Sequence, residues 1–395
     1  MRIVQLQLLQ YRNFGRLEIE LPPGPAVFVG DNARGKSNLL EAIYLLATMR
    51  APRAETDVQL IRRESLSDVL AAARVVAQVQ TLAGDLKLEV AVTARAGAQG
   101  QVAGKTVRVN GVPKRLTDAV GRLTAVLFSA DDLDLIAGSP SSRRGYLDTT
   151  LAQVDREYLA ARQRFERVLL QRNHLLKRIR EGEARADELS FWDQELSKHG
   201  GLIFHRRAAA LVELRDLARE LHSSLAPDEL LGLHYQPRLE GAVSELDSAS
   251  PGEVTEAYAS ALRRGLSRDI AAGMTLQGPH RDDLLLTLNG LPASAYASRA
   301  QQRTIALSLR LAEARLLRLR RGEPPVLLLD DILSEMDAAR RHSVLSALAD
   351  AAQILITGTD WDRFPSTFLS QATLFSVDAE TVRPLVAGLS GRQLD

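Results

Sequence analysis

Between Ile3 and Leu21 apolar and polar residues alternate, along Ile3–Leu9 and again along Leu17–Leu21, with a turn at Tyr11-Arg12-Asn13-Phe14-Gly15 between them. A period of two predicts two strands, each covering one face. Pro22-Pro23-Gly24 breaks the pattern. The next run, Ala26-Val27-Phe28-Val29, is apolar throughout, as in a short buried strand. Asn38-Leu39-Leu40-Glu41-Ala42-Ile43-Tyr44-Leu45-Leu46 then repeats its apolar residues at helical spacing. Arg50–Arg63 shows little pattern and reads as an irregular connection. Strand periodicity returns at Ala73–Gln80, Leu86–Thr93, Thr106–Val109 and Leu123–Phe128. Ala96–Gly104, rich in Gly, Ala and Gln, reads as an exposed hairpin tip, and Asn110-Gly111 as a tight turn.

From about Arg144 the spacing changes to threes and fours: Leu147, Leu151, Val154, Tyr158, Phe165, Val168, Leu169, Leu175, Leu176 and Ile179. After a charged break at Glu181-Gly182-Glu183, the rhythm resumes from Leu189 to Leu221. This predicts an antiparallel pair of long helices, each of about 30 residues and so about 45–50 Å long. Pro227, Pro237 and Pro251 punctuate the next stretch, with a further helix at Val254–Ala271. Strand Leu284–Leu288, turn Asn289-Gly290, helix Gln301–Arg320, strand Val326–Leu329, helix Ala338–Ala352 and strand Ile354–Thr357 complete the reading. The fold class is α/β, with strand-and-helix material at both ends flanking a helical insert.

Composition adds limits. The 395 residues are 45% hydrophobic and 25% charged, as in an ordinary globular protein. No cysteine is present, which excludes disulfides and thiolate metal sites and suits a reducing cytoplasm. Met1-Arg2-Ile3-Val4-Gln5-Leu6 alternates like a strand rather than a signal peptide. No apolar run approaches the roughly 20 residues of a membrane helix, so no membrane partner is expected. A formal net charge of +1 gives the whole chain little pull on nucleic acid, so any DNA contact must come from a local patch.

The chemistry is concentrated at Gly30-Asp31-Asn32-Ala33-Arg34-Gly35-Lys36-Ser37, followed by Asn38. It fits the phosphate-loop pattern, with a strand before it and a helix after it. Backbone N–H groups converging at a helix N-terminus cradle phosphates, Lys36 can reach the β- and γ-phosphates of a nucleotide, and the Ser37 hydroxyl can bind Mg2+. The second half is Pro325-Val326-Leu327-Leu328-Leu329-Asp330-Asp331, an apolar strand ending in two carboxylates. Asp330 is placed to hold Mg2+, and Asp331 to orient or polarise the attacking water; the competing reading of the pair is a solvated turn or helix cap. Ser334-Glu335-Met336-Asp337 opens the next helix, with Ser334 or Asp337 as caps. Ser298-Arg299-Ala300-Gln301 precedes an amphipathic helix, where a serine is by itself most simply a cap.

The order of these pieces resembles an ATP-binding-cassette ATPase of the SMC type, and in detail the bacterial RecF family of recombination mediators. Nearly the whole chain takes part. The resemblance rests on Tyr11-Arg12-Asn13-Phe14, Gly30–Ser37 with Asn38–Ala42, Phe128-Ser129 through Asp131-Asp132-Leu133, and Gly138-Ser139-Pro140-Ser141-Ser142-Arg143-Arg144 to Leu147-Asp148. Gly278-Pro279-His280-Arg281-Asp282-Asp283-Leu284, Tyr296–Arg299 and Asp330–Asp337 complete it. It implies an ATPase head in two halves, 1–138 and 268–395, interrupted by a helical arm at 139–267. It also implies two heads sandwiching two ATPs. Ser298, with Arg299, Ala300 and Gln301, then becomes a signature that meets the γ-phosphate of the opposing subunit. Ser334, Glu335 and Asp337 line the dimer seam. Arg12 and Asn13 help hold the nucleotide, and His280 and Arg281 support the site. Implied partners are a second copy of the chain, double-stranded DNA near gapped or single-strand junctions, and the proteins RecR and RecO. The implied setting is the nucleoid.

Several departures from the family pattern matter. Ala300 stands at the signature glycine, and its methyl faces the position of the partner's phosphate. Arg34 stands where relatives often carry glutamine, and Met49-Arg50-Ala51-Pro52-Arg53-Ala54 lacks the family's Arg-Ser-His-Arg wording. At the switch position Thr357 and Thr359 offer only hydroxyls, and Asp331 replaces a longer glutamate, so slow, DNA-stimulated hydrolysis is expected. The alternative is a nucleotide-gated DNA clamp with negligible turnover. Basic residues at Arg143-Arg144 and along Arg164, Arg167, Arg172, Lys177 and Arg178 form either a DNA-phosphate track or a solvated face balanced by nearby glutamates.

Overall fold

The computed structural model describes residues 1–385 apart from 69, 98–99, 242–245, 247, 335, 337 and 349–350. Chain contacts divide it into two compact units, Met1–Asp131 with Leu317–Asp395, and Asp132–Leu316. In order, the first stretch carries β1 (Arg2–Tyr11), β2 (Phe14–Glu20), β3 (Gly24–Val29), α1 (Lys36–Thr48), β4 (Ala72–Thr81), β5 (Gly84–Gly97), β6 (Gly100–Val109), β7 (Val112–Lys114) and β8 (Ala125–Phe128). The insert carries α2 (Pro140–Val154), α3 (Arg156–Arg180), α4 (Ser190–Leu225), β9 (Leu231–Gln236), α5 (Pro251–Ala272), β10 (Asp283–Leu288) and β11 (Leu291–Pro292). After it come α6 (Arg299–Arg321), β12 (Val326–Asp330), α7 (Ala338–Ala347), β13 (Gln353–Gly358), β14 (Thr373–Asp378) and β15 (Thr381–Pro384).

The first unit holds two sheets. One is antiparallel in the order β2-β1-β4-β5-β6-β7; the other runs β15-β14-β3-β13-β12-β8 and is parallel except for the β14–β15 hairpin. α1 touches β4 and β5 of the first sheet and β8, β12 and β13 of the second. Eleven of its thirteen residues are therefore buried, Lys36 and Glu41 among them. That explains its nearly continuous apolar sequence: a helix covered on every side has no polar face.

The second unit packs α2 to α5 around Leu151, Tyr158, Phe165, Ile203, Phe204, Val254 and Tyr258, beside the three-stranded sheet β11-β10-β9. Buried charge is threaded through it. Arg207 donates to Asp148 (2.7 Å), Asp282 (3.1 Å), the Tyr158 hydroxyl (3.1 Å) and the Pro279 carbonyl (2.6 Å). Burial works against ionisation of Asp148, yet Arg207 and Arg162 hold its carboxyl below the ordinary aspartate value. At Asp282 burial outweighs the pull of Arg207 and the value rises. Arg172 is 0% exposed and donates to Asp193 (2.6 Å), Asp269 (2.7 Å) and Thr275 (2.7 Å).

Several boundaries differ from the sequence reading. Residues 268–316, expected with the second head half, pack in the inserted unit, because β10 finds its antiparallel partner in β9. The first long helix is divided at Asp155, whose carboxylate accepts from the Tyr158 N–H (2.9 Å) and caps α3. β5 and β6 pair as far as Gly97 and Gly100, so most of the expected hairpin tip is strand. The connection Arg50–Arg63 contains a 3-10 turn at Asp57–Leu60. β9, β14 and β15 have no counterpart in the sequence reading.

Replacing Arg172 by alanine strands Asp193 and Asp269 without their cation. We expect a loss of about 3 kcal/mol in chemical denaturation, the usual cost of breaking a buried ion pair from one side.

Candidate nucleotide site

β3 leads through Gly30–Gly35 onto the N-terminus of α1. Space and backbone dictate both glycines. A Cβ at Gly30 would lie 2.1 Å from the Val377 carbonyl oxygen; one at Gly35, where φ is +97°, would lie 2.3 Å from the Asn13 amide nitrogen. Asp31, Asn32 and Ala33 are exposed, and Ala33 also takes a left-handed φ of 64°. Lys36 closes the loop from beneath, with Nζ donating to the carbonyls of Gly30 (2.5 Å) and Asp31 (2.8 Å). Burial lowers the proton affinity of this amine, while Asp331, Asp330 and Asp31 act the other way. Arg34 is half-exposed and is 3.6 Å from Asp31 and 3.3 Å from Asp378.

Three groups from distant parts of the chain meet on Asp330 at the end of β12. Ser37 donates to its Oδ1 (2.9 Å), Thr357 of β13 donates to the same oxygen (2.8 Å), and Arg53 pairs with Oδ2. Register explains the threonine: β12 and β13 are parallel, with Asp330 opposite Thr357. Asp331 takes a left-handed φ of 55°, and its N–H donates to Thr357 Oγ1 (3.0 Å). One hydroxyl therefore ties the Asp330 carboxylate to the backbone of Asp331. Ser334 donates to the Asp331 carbonyl (2.7 Å); Glu335 and Asp337 lie outside the described residues. Thr359 is half-buried just beyond β13.

On the far side of the loop, Asn38 donates to Asn13 Oδ1 (2.8 Å), and Asn13 donates to the Arg34 carbonyl (3.4 Å). Arg12 lines the cleft beside the loop and is also paired inside the unit. Its guanidinium is bidentate on buried Glu41 (2.8 and 2.9 Å) and reaches the Gln59 carbonyl (3.0 Å), while the Tyr11 hydroxyl also donates to Glu41 (3.2 Å). Arg12 thus anchors α1. A cleft of about 470 Å³ opens beside it, lined by Asn13, Ala33, Asn38, Ile61, Arg62 and Glu380 among others.

In the second unit Ser298 and Gln301 form a capping box on α6: Ser298 Oγ accepts from the Gln301 N–H (3.3 Å), and Gln301 Oε1 accepts from the Ser298 N–H (2.8 Å). Ser298 and Arg299 are exposed; the Ala300 carbonyl accepts from Thr304 Oγ1 (3.1 Å). The arginines expected on DNA divide into two groups. Arg172 is an internal ion-pair centre between buried Asp269 and half-buried Asp193; Arg143 is bidentate on Asp283 (2.7 and 3.0 Å), and Arg144 donates to the Asp282 carbonyl (2.7 Å). Arg164, Arg167 and Lys177 are exposed, and half-buried Arg178 faces Glu183 at 3.8 Å. His280 is packed at 5.8 Å from the Phe165 ring, and burial pushes its pKa down to about 4, against a bond to the Thr275 carbonyl. It is a neutral packing residue, while Arg281 is exposed.

The family profile described as RecF/RecN/SMC N terminal domain matches residues 2–374. A solved SMC head bound to the C-winged helix domain of ScpA superposes with a TM-score of 0.52 at 14% identity over 98% of each chain, a likeness of fold alone. Fold and loop together define the class, an α/β phosphate-loop ATPase head of the SMC type. Two relatives named DNA replication and repair protein RecF, from Roseiflexus castenholzii and Chloroflexus aurantiacus, are 41% and 42% identical to it. They cover 97% and 96% of this chain and 100% and 98% of their own length. A structure described as the recombination mediator protein RecF-ATP in the RecFOR pathway superposes with a TM-score of 0.86 at 29% identity, covering 97% of both chains. The chain belongs to the RecF family.

Sequence reasoning missed Arg53 on Asp330 and the pairing of Glu41 with Arg12. A glutamate inside the apolar run Leu39–Leu46 was a signal for the second, since a buried carboxylate requires a cation; nothing local marked the first. Gly35→Ala should lower nucleotide affinity more than about tenfold, since the new methyl meets Asn13 and strains the left-handed turn. Titration with a fluorescent ATP analogue checks this.

Proposed function

We propose that this chain is an ATP-controlled DNA-repair mediator that pairs with a second copy of itself around bound nucleotide. The observation that carries the reading is the joint placement of Lys36 under the phosphate loop and of Ser37 and Thr357 on one buried carboxylate, Asp330, with the Asp331 N–H on the same Thr357 hydroxyl. The names of the full-length relatives and the ATP-bound structural neighbour support it.

Triphosphate would lie on the N–H groups of Gly30–Ser37, with Lys36 turning from its carbonyl partners to the β- and γ-phosphates. The cleft beside Asn13, Ala33 and Asn38 is open for the nucleoside. The donor set fits Mg2+: a hydroxyl and a carboxylate 2.9 Å apart are both hard oxygen ligands. Among the described residues no group of three or more His, Asp or Glu cages a metal, so nucleotide oxygens and water would complete the shell. When bound, the cation would neutralise charge on the β- and γ-phosphates. Asp331, oriented through Thr357, would position the attacking water.

The partner's Ser298, on the N-terminus of α6, would approach the γ-phosphate from the other side, with Ser334, Glu335 and Asp337 along the seam. The dimer would hold double-stranded DNA near gapped junctions in the nucleoid and engage RecR and RecO, with exposed Arg164, Arg167 and Lys177 as phosphate contacts. Hydrolysis would be slow, because Asp331 is a short base and Thr357 and Thr359 offer no imidazole. A second reading, a nucleotide-gated clamp without turnover, is favoured by that same short carboxylate.

Light scattering with a non-hydrolysable ATP analogue should show monomer becoming dimer; an unchanged mass removes the two-sided site. Lys36→Met and Asp331→Asn should each lower steady-state hydrolysis about tenfold or more. Rates equal to wild type leave only the clamp.

A further inference from the structure

The capping box at Ser298 does not end at Gln301. The free amide nitrogen of Gln301 donates to Glu229 Oε1 (2.9 Å), in the connection between α4 and β9. The other oxygen of Glu229 is 3.1 Å from Nε2 of His222, near the end of α4. His222 is 0% exposed, and its Nδ1 is 3.1 Å from Ser308 Oγ, two turns along α6. A carboxylate can only accept, so Nε2 carries the proton and the Gln301 amide is fixed with its nitrogen towards Glu229 and its oxygen towards Ser298. An isolated capping box needs neither of the outer two residues.

The geometry points to Glu229, held by His222, as a positioning residue for the signature serine: it sets the orientation of the Ser298–Gln301 cap and ties the long helix α4 to the group that meets the partner's phosphate. This rests on the reading of Ser298 as a contact made across the dimer. Neither residue reaches a phosphate itself. Both act on how Ser298 is presented, so they should alter assembly and turnover but not nucleotide binding by the separate chain. The link also gives a shift of α4 a direct route to the second half of the site, since α4 and the cap of α6 share one carboxylate.

The test exploits the chemistry of Gln301. Glutamate is as good as glutamine at the third position of a helix, so Gln301→Glu retains a capping residue and loses only the donor that orients it on Glu229. It places two carboxylates against each other at Glu229 and should weaken nucleotide-dependent dimerisation about tenfold, the loss of one charge-assisted hydrogen bond. Glu229→Gln in the same chain restores a donor–acceptor pair of reversed sense, and the double variant should recover most of the lost affinity. Glu229→Ala should weaken assembly to a similar degree, while fluorescent-ATP affinity of the monomer stays within about twofold. Hydrogen exchange at the Gln301–Arg303 amides should rise in Gln301→Glu and fall back in the double variant. If Glu229→Ala and Gln301→Glu dimerise like wild type while Ser298→Ala does not, or if the double variant shows no recovery, the positioning role is overturned. If Ser298→Ala itself assembles normally, the reading of the serine fails instead.

Discussion

One buried carboxylate organises the nucleotide site. Asp330 is 6% exposed at the end of an all-apolar strand, where an unpaired charge would be expensive. Its partners must therefore come from other elements: Ser37 from the helix after the phosphate loop, Thr357 from the neighbouring parallel strand, and Arg53 from the connection after α1. Loop, carboxylate strand and the end of β13 are thereby tied into one arrangement. Thr357 has two roles, since the hydroxyl that donates to Asp330 also accepts from the Asp331 N–H.

The same constraint shapes the inserted unit. Arginine crowds α3 and α4, and charge alone cannot separate residues that face solvent from residues that neutralise buried acids. Arg172 and Arg207 lie inside because Asp269, Asp148 and Asp282 lie inside with them. Asp148 and Asp282 come from two of the stretches that carry the resemblance to the RecF family. Both carboxylates are spent on Arg207, inside the unit that carries Ser298.

α1 shows how packing and chemistry are combined. It is sandwiched between two sheets, so its position is set on all sides, and the only carboxylate inside it, Glu41, is answered by Arg12 and Tyr11. The phosphate loop then hangs from a helix that cannot shift along its axis without breaking that bidentate contact. Gly35 lets Asn13 approach from the other side. Contacts from Arg12, Tyr11 and Asn13 thus fix the helix and the loop from outside the loop itself.

Sequence by itself determined the alternation of α1-type and strand elements, the phosphate loop with Lys36 and Ser37, the carboxylate pair, and the family. Each is a local pattern, because periodicity, glycine spacing and apolar runs are fixed by neighbours along the chain. Only the tertiary structure decided that Arg12 serves Glu41, that Arg53 sits on Asp330, that Arg172 is internal, and that residues 268–316 belong with the insert. Those outcomes depend on which charges meet in a desolvated interior and which strands find partners, and both bring together residues far apart in the chain.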